Sequence, residues 1–348
     1  MIGSAYVEIA QRRVFKAVSV LGLSRFLILA SCALLQPALA AEAPQPADQV
    51  VELLQKIQDA ARRLDYAGVF TYQQGAAMQS NRVVHVVDGT GERERLEMLD
   101  GPAREFIRHN ETVQCLIPEK KLILVEKRRG DRFPGVLVGN GKNVSDFYSL
   151  KVAKSLNRIA GHECRPVELI PKDRYRYGYN FCIDTKTNLL IKAQTLAGPH
   201  EVVDQIAFSS LQIGQGVPAD QLAPSWNTQD WKTLEDPIQP IDLAKLGWRI
   251  SLPPGFLSLT QVSRAMSAGK PVKQLVISDG LAAISVFIEP YDSTRDQAMP
   301  HGAARRGAMN IYGTRIGDHW LTAIGEVPAD TLRELAQRTE YVPLAAKQ

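Results

Sequence analysis

His200-Glu201-Val202-Val203-Asp204 is the part of this chain nearest to a catalytic signature, departing from the His-Glu-x-x-His of zinc proteases only at its last residue. That chemistry needs both ligands on one helical face. Here the segment follows Gly198-Pro199 and leads into a β-prone run, so metal binding is not expected. The six histidines (His85, His109, His162, His200, His301 and His319) are scattered without ligand spacing, and the chain has no Gly-x-Ser-x-Gly elbow and no Cys-x-x-Cys. Gly139-Asn140-Gly141 echoes a phosphate-cradling loop. It lacks the strand before, the helix after and the acidic residue about twenty positions on, and reads as a flexible connection. Nothing supports a catalytic triad, and no cofactor is expected.

Binding chemistry has better material. Pro171-Lys172-Asp173-Arg174-Tyr175-Arg176-Tyr177-Gly178-Tyr179 sets a polar turn between two apolar runs, the form of a hairpin tip. Arginine and tyrosine offer donors and apolar area at little entropic cost, so Arg174, Tyr175, Arg176, Tyr177 and Tyr179 are candidate contacts for a partner peptide. Alternate residues of such a strand must also point into a core, and the three tyrosines suit that equally. Arg93 and Arg95 are further candidates, with cross-strand ion pairs as the plainer role. A curved sheet closed by helices can leave an apolar interior, in which each buried acyl methylene contributes about 0.8 kcal/mol. Phe70, Tyr72, Val84, Val86, Leu96, Met98, Leu122 and Leu124 are candidate lining residues, each also explicable as ordinary core.

The elements that would position these residues are mostly strands. Val51, Leu54, Ile57, Ala61 and Leu64 share a helical face, predicting a helix from about Gln49 to Leu64 with Asp48 as cap. Ten short β-prone runs follow between Gly68 and Ile213, punctuated by turns such as Asp88-Gly89-Thr90-Gly91 and Lys186-Thr187-Asn188. They predict an antiparallel meander without parallel crossovers. Arg82 to Val87 is more apolar than strict alternation requires, as if covered on both faces. Residues 214–242 are rich in Pro, Gln, Asp and Gly, with isolated Trp226 and Trp231, and read as a linker. Beyond it come Trp248–Leu252, Phe256–Val262, Val272–Ser278 and Ala282–Glu289, a loop over 291–306, two more strands over 307–325, and a closing helix at 330–337 capped by Asp330 or Thr331.

The first forty residues read as an export signal: Arg12, Arg13, Lys16 and Arg25, then apolar Phe26 to Leu35, then small residues ending at Ala40. Leu29-Ala30-Ser31-Cys32 offers a lipoprotein-type alternative, but cutting there leaves only about six apolar residues after Arg25, against about ten for cleavage after Ala40. A transmembrane anchor needs about twenty uninterrupted apolar residues, and Arg25 interrupts the run. Without residues 1–40 the formal charge falls from +4 to +1, with 37 basic against 36 acidic residues. Nucleic-acid binding is therefore not expected; the one dense basic run, Lys120-Lys121 with Lys127-Arg128-Arg129, suits a charge-guarded edge strand or a patch for acidic partners or lipid phosphates. Cys115, Cys164 and Cys182 would remain in an oxidising compartment. Folding the hairpin about Asp173 sets Cys164 opposite Cys182, making that disulfide the favoured pairing, with the two other pairings or none left open.

Two separated stretches, Arg176-Tyr177-Gly178 and Gly247-Trp248-Arg249-Ile250-Ser251-Leu252-Pro253-Pro254-Gly255-Phe256, give the chain a resemblance to the RseB/MucB family of periplasmic sigma-factor regulatory proteins. The resemblance extends through Gly68-Val69-Phe70-Thr71-Tyr72, Arg93-Glu94-Arg95-Leu96, Val113-Gln114-Cys115, Asp279-Gly280-Leu281-Ala282, Ser285 to Pro290 and Gly325-Glu326-Val327-Pro328. It implies an α+β fold: a lipoprotein-carrier-like, unclosed antiparallel β-barrel covered by helices over 41–213, and a smaller α+β domain over 243–345. The implied function is not enzymatic. Such a protein binds the periplasmic segment of a membrane-spanning anti-sigma factor (RseA/MucA type), shields it from regulated proteolysis, and lets go when lipid or lipopolysaccharide binds; family members also self-associate. The family pattern does not demand Cys164 and Cys182. A periplasmic lipid or lipoprotein carrier is the alternative, though it has no need of residues 243–345. A third reading, an exported hydrolase, would be marked by a turnover lost on changing a single His or Asp.

Overall fold

The computed structural model describes residues 47–127, 133–138, 141, 143–199, 201–217, 219–235, 238–265, 271–293 and 302–343. The export-signal reading, Arg128, Arg129, His200, His301 and the Gly139-Asn140 loop lie outside them, as does the side chain of Asp48.

Helix α1 (Ala47–Arg63) opens the described chain. Its buried stripe is Val50, Leu54, Ile57, Ala60 and Ala61, rather than one passing through Val51, which is only half-buried. Each residue turns the helix by about 100°, and Val50 falls nearer than Val51 to the centre of the face shared by Leu54, Ile57 and Ala61.

The first sheet contains thirteen strands among the described residues. β1 (Tyr66–Gln74) lies near its middle. On one side a meander runs through β2 (Ala77–Asp88), β3 (Gly91–Met98), β4 (Glu105–His109), β5 (Thr112–Ile117) and β6 (Leu122–Lys127). A short helix α2 (Val144–Phe147) then leads into β7 (Tyr148–Val152), β8 (Asn157–Ile159), β9 (His162–Pro171), β10 (Gly178–Asp184), β11 (Leu190–Leu196) and β12 (Val202–Ile213), and β12 closes back onto β1. Among the described residues the two ends of this sheet do not pair, so the barrel is unclosed, and α1 packs on one face of it, contributing to two buried clusters.

One strand departs from the expected meander: β13 (Lys232–Glu235) pairs parallel with β6. All four of its residues are exposed, so it carries none of the alternation that marks a half-buried strand. The described residues of 214–242 thus reach both sheets, through β13 on the first and β14 (Ile238–Pro240) on the second. The 3-10 turn Ala219–Leu222 lies on the convex face, where Leu222 and Val217 pack on Val84 and Val86, and Trp226 stacks on Trp231 at 6.1 Å.

The second sheet runs β14 (Ile238–Pro240), β16 (Leu257–Ala265), β17 (Pro271–Ser278), β18 (Ala283–Pro290), β21 (His319–Gly325), β20 (Met309–Ile316) and β19 (Gly302–Arg306). A separate pair joins β15 (Trp248–Ile250) to β22 (Thr339–Tyr341). Helix α3 (Ala329–Gln337) covers one face through Leu332, Leu335 and Ala336, which share one buried cluster with Ile284, Val286, Ile288 and Leu321. The expected cap is corrected: Pro328 precedes the helix without a side-chain cap bond, and the Thr331 hydroxyl donates elsewhere. The end of the 291–306 loop forms β19 instead.

Cys164 and Cys182 form a disulfide with Cα atoms 5.4 Å apart. They are not directly opposed, because Cys164 pairs with Asp184 and Cys182 with Pro166, so the hairpin folds about Arg174 and the bridge runs diagonally. Both sulfurs lie in the core beneath α1. Closing a loop of 18 residues constrains the unfolded chain by about 3 kcal/mol. Replacing both cysteines by alanine is expected to lower the urea midpoint by an equivalent 2–4 kcal/mol; an unchanged midpoint would show that the bridge contributes nothing to stability.

Candidate functional site

The hairpin tip between β9 and β10 is built around Asp173. One of its carboxylate oxygens accepts the Tyr175 backbone N–H at 2.9 Å and Arg176 Nε at 3.0 Å, which curls the tip and turns Arg176 inward. Arg176 there enters the second sheet's territory: Nη1 donates to Asp279 Oδ2 at 2.6 Å, and Nη2 to the Pro254 carbonyl at 2.5 Å. Its guanidinium also lies over the rings of Phe147 (4.4 Å) and Phe256 (5.2 Å). The Arg176 side chain has no exposed surface. Burial opposes its charge, but Asp173 and Asp279 outweigh burial and hold its pKa above the ordinary value.

Asp279 is fixed for this role by its own turn. Its Oδ1 accepts Leu281 and Ala282 N–H at 2.9 and 2.8 Å, leaving Oδ2 for Arg176 and for the Tyr148 hydroxyl at 3.3 Å. Gly280, at φ +103°, completes the turn; a Cβ there would stand 2.6 Å from Val144 and 3.0 Å from the Gly141 backbone. Burial, then Tyr179 and Asp279, push the Tyr148 hydroxyl pKa well up, so it acts as a neutral donor.

The rest of the tip is tied in the same direction. Tyr177 is buried with Val203 and Ala308, and its hydroxyl accepts from Asn310 Nδ2, which also donates to the Val327 carbonyl. The Tyr175 carbonyl accepts from the Thr331 hydroxyl at 3.0 Å, and Arg174 pairs with Glu334 at 2.5 Å. Tyr179 is buried beside Tyr148 and Phe181. Of the proposed partner contacts, Arg176, Tyr177 and Tyr179 therefore spend their side chains within the chain, whereas Arg174 is exposed and Tyr175 half-exposed. Alternation along the strand accounts for the buried tyrosines. Arg176 is buried for a different reason, the carboxylate that meets it from another sheet.

Arg93 and Arg95 differ sharply. Arg93 makes a surface pair with Asp88 at 2.8 Å. Arg95 is buried and donates to Glu105 at 2.6 Å, Ser225 Oγ at 2.7 Å and the Gln221 carbonyl at 3.2 Å, while Glu105 accepts Ser225 N–H at 3.1 Å. This pair clamps the ordered 219–225 segment to the convex face.

The proposed lining residues divide between two faces. Pairing register sets Leu96 beside Phe106, Phe106 beside Cys115 and Cys115 beside Leu124, all on the face bearing Phe70, Tyr72, Met98, Leu122 and α1. Val84 and Val86 point the other way and are covered by Leu222, so they are corrected out of any cavity on the concave face. Phe70 is buried against Phe208 and Phe133. Leu96, Met98, Phe106, Cys115, Leu122 and Leu124 remain half-buried, a continuous apolar stripe. Phe106 and Cys115 were missed for want of register, because apolar Ile107 and Leu116 beside them blur the alternation.

Of the near-zinc segment, Val202, Val203 and Asp204 lie in β12, with Asp204 buried and Glu201 exposed just ahead of the strand, and no group of three metal-ligating side chains converges among the described residues.

Comparison with known proteins gives concordant matches. A family model described as the MucB/RseB N-terminal domain matches residues 49–226, and one described as the MucB/RseB C-terminal domain matches residues 242–340. Among relatives, the sigma factor AlgU regulatory protein MucB of Pseudomonas aeruginosa is 28% identical over 316 residues, covering 87% of this chain and 94% of the relative. The sigma-E factor regulatory protein RseB of Escherichia coli K12 is 23% identical over 295 residues, covering 83% and 90%. Among solved structures, MucB in complex with MucA(peri) superposes with a TM-score of 0.64 at 25% identity, covering 84% of this chain and 99% of that one. MucB alone gives 0.61 at 23% identity, covering 85% and 98%.

Proposed function

Because the chain belongs to the MucB/RseB family, we propose that it is an exported, non-catalytic regulator of an extracytoplasmic-function sigma factor, acting in the periplasm on the periplasmic segment of a transmembrane anti-sigma factor. Binding shields that segment from regulated proteolysis, and lipid or lipopolysaccharide releases it. The observation that carries this reading is the ordered match of both domain models, together with the likeness to MucB crystallised with MucA(peri). Its working parts are a signal over 1–40, a first domain over 41–213, a connecting segment over 214–242 and a second domain over 243–345.

Geometry supports the reading in two ways. The Arg176 and Tyr177 contacts couple the two sheets, so a peptide that touches both meets a preset surface, with less to order on binding. Exposed Arg174 and half-exposed Tyr175 and Arg93 are the sequence candidates still able to meet it. The half-buried stripe through Leu96, Phe106 and Leu124 gives an acyl chain apolar surface in the first domain. If the two ligands oppose one another, each must weaken the other by the same factor.

The test is protection. The purified periplasmic segment of the anti-sigma factor is digested by its first regulatory protease with and without an excess of this chain. Its half-life is expected to lengthen at least tenfold and to return toward the free value when long-chain lipid is added. An unchanged half-life at saturating chain would overturn the reading.

A further inference from the structure

Away from the hairpin tip, a second contact between the sheets is made by a buried carboxylate. Asp204, on β12, is 5% exposed. Its Oδ2 accepts the Tyr72 hydroxyl at 3.0 Å, and its Oδ1 is buried without a well-formed hydrogen bond of its own. Against Oδ1 sits the turn between β19 and β20. Gly307, at φ +59°, approaches so closely that a Cβ there would lie 2.0 Å from Oδ1 and 2.4 Å from Gln74. The neighbouring Ala308 is fully buried with Tyr177 and Val203. A carboxylate desolvated this tightly on one side of an interface is favoured there in its neutral form.

We propose that the contact of Asp204 with the Gly307-Ala308 turn is a pH-responsive latch between the two sheets, closed in acid and loosened as the carboxylate ionises. The groups facing it are few. Tyr72 and Gln74 approach from β1, Glu201 lies just ahead of β12, Tyr177 comes from the hairpin tip, Arg305 and the Ala308 N–H from the β19–β20 hairpin, and Glu326 from the segment after β21. Arg305 is also engaged by Glu201 at 3.7 Å, so this cation is shared between two carboxylates. Burial raises the Asp204 pKa from 3.8 to about 6, against the Ala308 N–H, Tyr72, Gln74 and Arg305. Glu326 is raised to about 7, by burial and then by the Asp204 charge.

The sign follows from linkage. A carboxyl group whose pKa is higher in the closed contact than in water contributes fully below about pH 3.8. That contribution is lost as pH rises toward about 6 and stays lost above it. Glu326 extends the window toward about 7. The proposal concerns the contact between the sheets and does not depend on what partner the protein binds.

Hydrogen exchange of the whole chain between pH 4.5 and 7.5, corrected for the intrinsic rate, tests it. Protection of peptides covering 302–312 and 202–208 is expected to fall at least tenfold over this range, within the roughly hundredfold that two pKa units allow. Protection of α1 should stay level. Asp204→Asn should flatten the slope, and Glu326→Gln should keep it while moving its midpoint down. A level wild-type profile in these peptides, or a slope surviving in Asp204→Asn, would overturn the proposal. If Asp204→Asn does not fold, the wild-type and Glu326→Gln profiles decide it.

Discussion

Arg176→Met is expected to destabilise the protein by about 3 kcal/mol and to split one cooperative melt into two transitions. Removing one partner of a buried ion pair costs about 3–5 kcal/mol, because the other charge stays buried. The lower end applies here, since Asp279 keeps Leu281 and Ala282 N–H and the Tyr148 hydroxyl as donors. The loss falls on a contact between the sheets rather than within either core, so each core should unfold on its own. Calorimetry reads both effects, and a cycle with Asp279→Asn isolates the pair, with an expected coupling of about 1.5–3 kcal/mol for a charged hydrogen bond. A single transition with an unchanged midpoint in Arg176→Met would show that the sheets are held together by something else.

The second large effect is expected on the convex face. Glu105→Ala strips Arg95 of its buried partner and Ser225 N–H of its acceptor, a loss of about 3 kcal/mol. Residues 217–231 should then become the first site of proteolytic cutting, because Val217 and Leu222 alone give that segment little hold on Val84 and Val86. Glu97→Ala, at a partly exposed partner of the same arginine, should cost less than about 1 kcal/mol. Burial raises the Glu105 pKa, but hydrogen bonds from Arg95 and Ser225 outweigh it and hold it below the usual value. The clamp therefore contributes above about pH 4.5 and is lost on acidification, the reverse of the Asp204 contact. Equal cutting of wild type and Glu105→Ala at matched temperature below the melt would contradict the clamp.

Most strands of both sheets were legible because their apolar runs are bounded by turn residues, though β7, β8 and β14 were not expected, and α1 was legible because Leu54, Ile57 and Ala61 repeat at helical spacing. What escaped was set by distant partners. β13 is four exposed residues that become a strand only because β6 offers an edge, and nothing local to Lys232-Thr233-Leu234-Glu235 announces it. The cysteine pair was legible as a choice of residues, while its register was not: a shift of two positions keeps both side chains on the same face and so leaves the apolar pattern unchanged. Arg176 illustrates the limit for the site. An arginine in a polar turn reads as exposed, and Asp279, 103 residues away, makes it a fully buried charge at the contact between the sheets. Asp279 itself, standing before Gly280, has the sequence form of an ordinary turn residue. Val84 and Val86 correctly signalled a strand covered on both faces, and the cover is the chain's own connecting segment.

The most direct test of the regulatory reading is capture from envelope extracts with residues 41–348 as bait, with and without excess lipopolysaccharide or long-chain lipid, read by mass spectrometry. The account predicts enrichment of a single-span membrane protein with a cytoplasmic sigma-binding part, lost on adding lipid. Capture of lipoproteins or lipid alone, with no such membrane protein in either condition, would contradict it and favour a carrier.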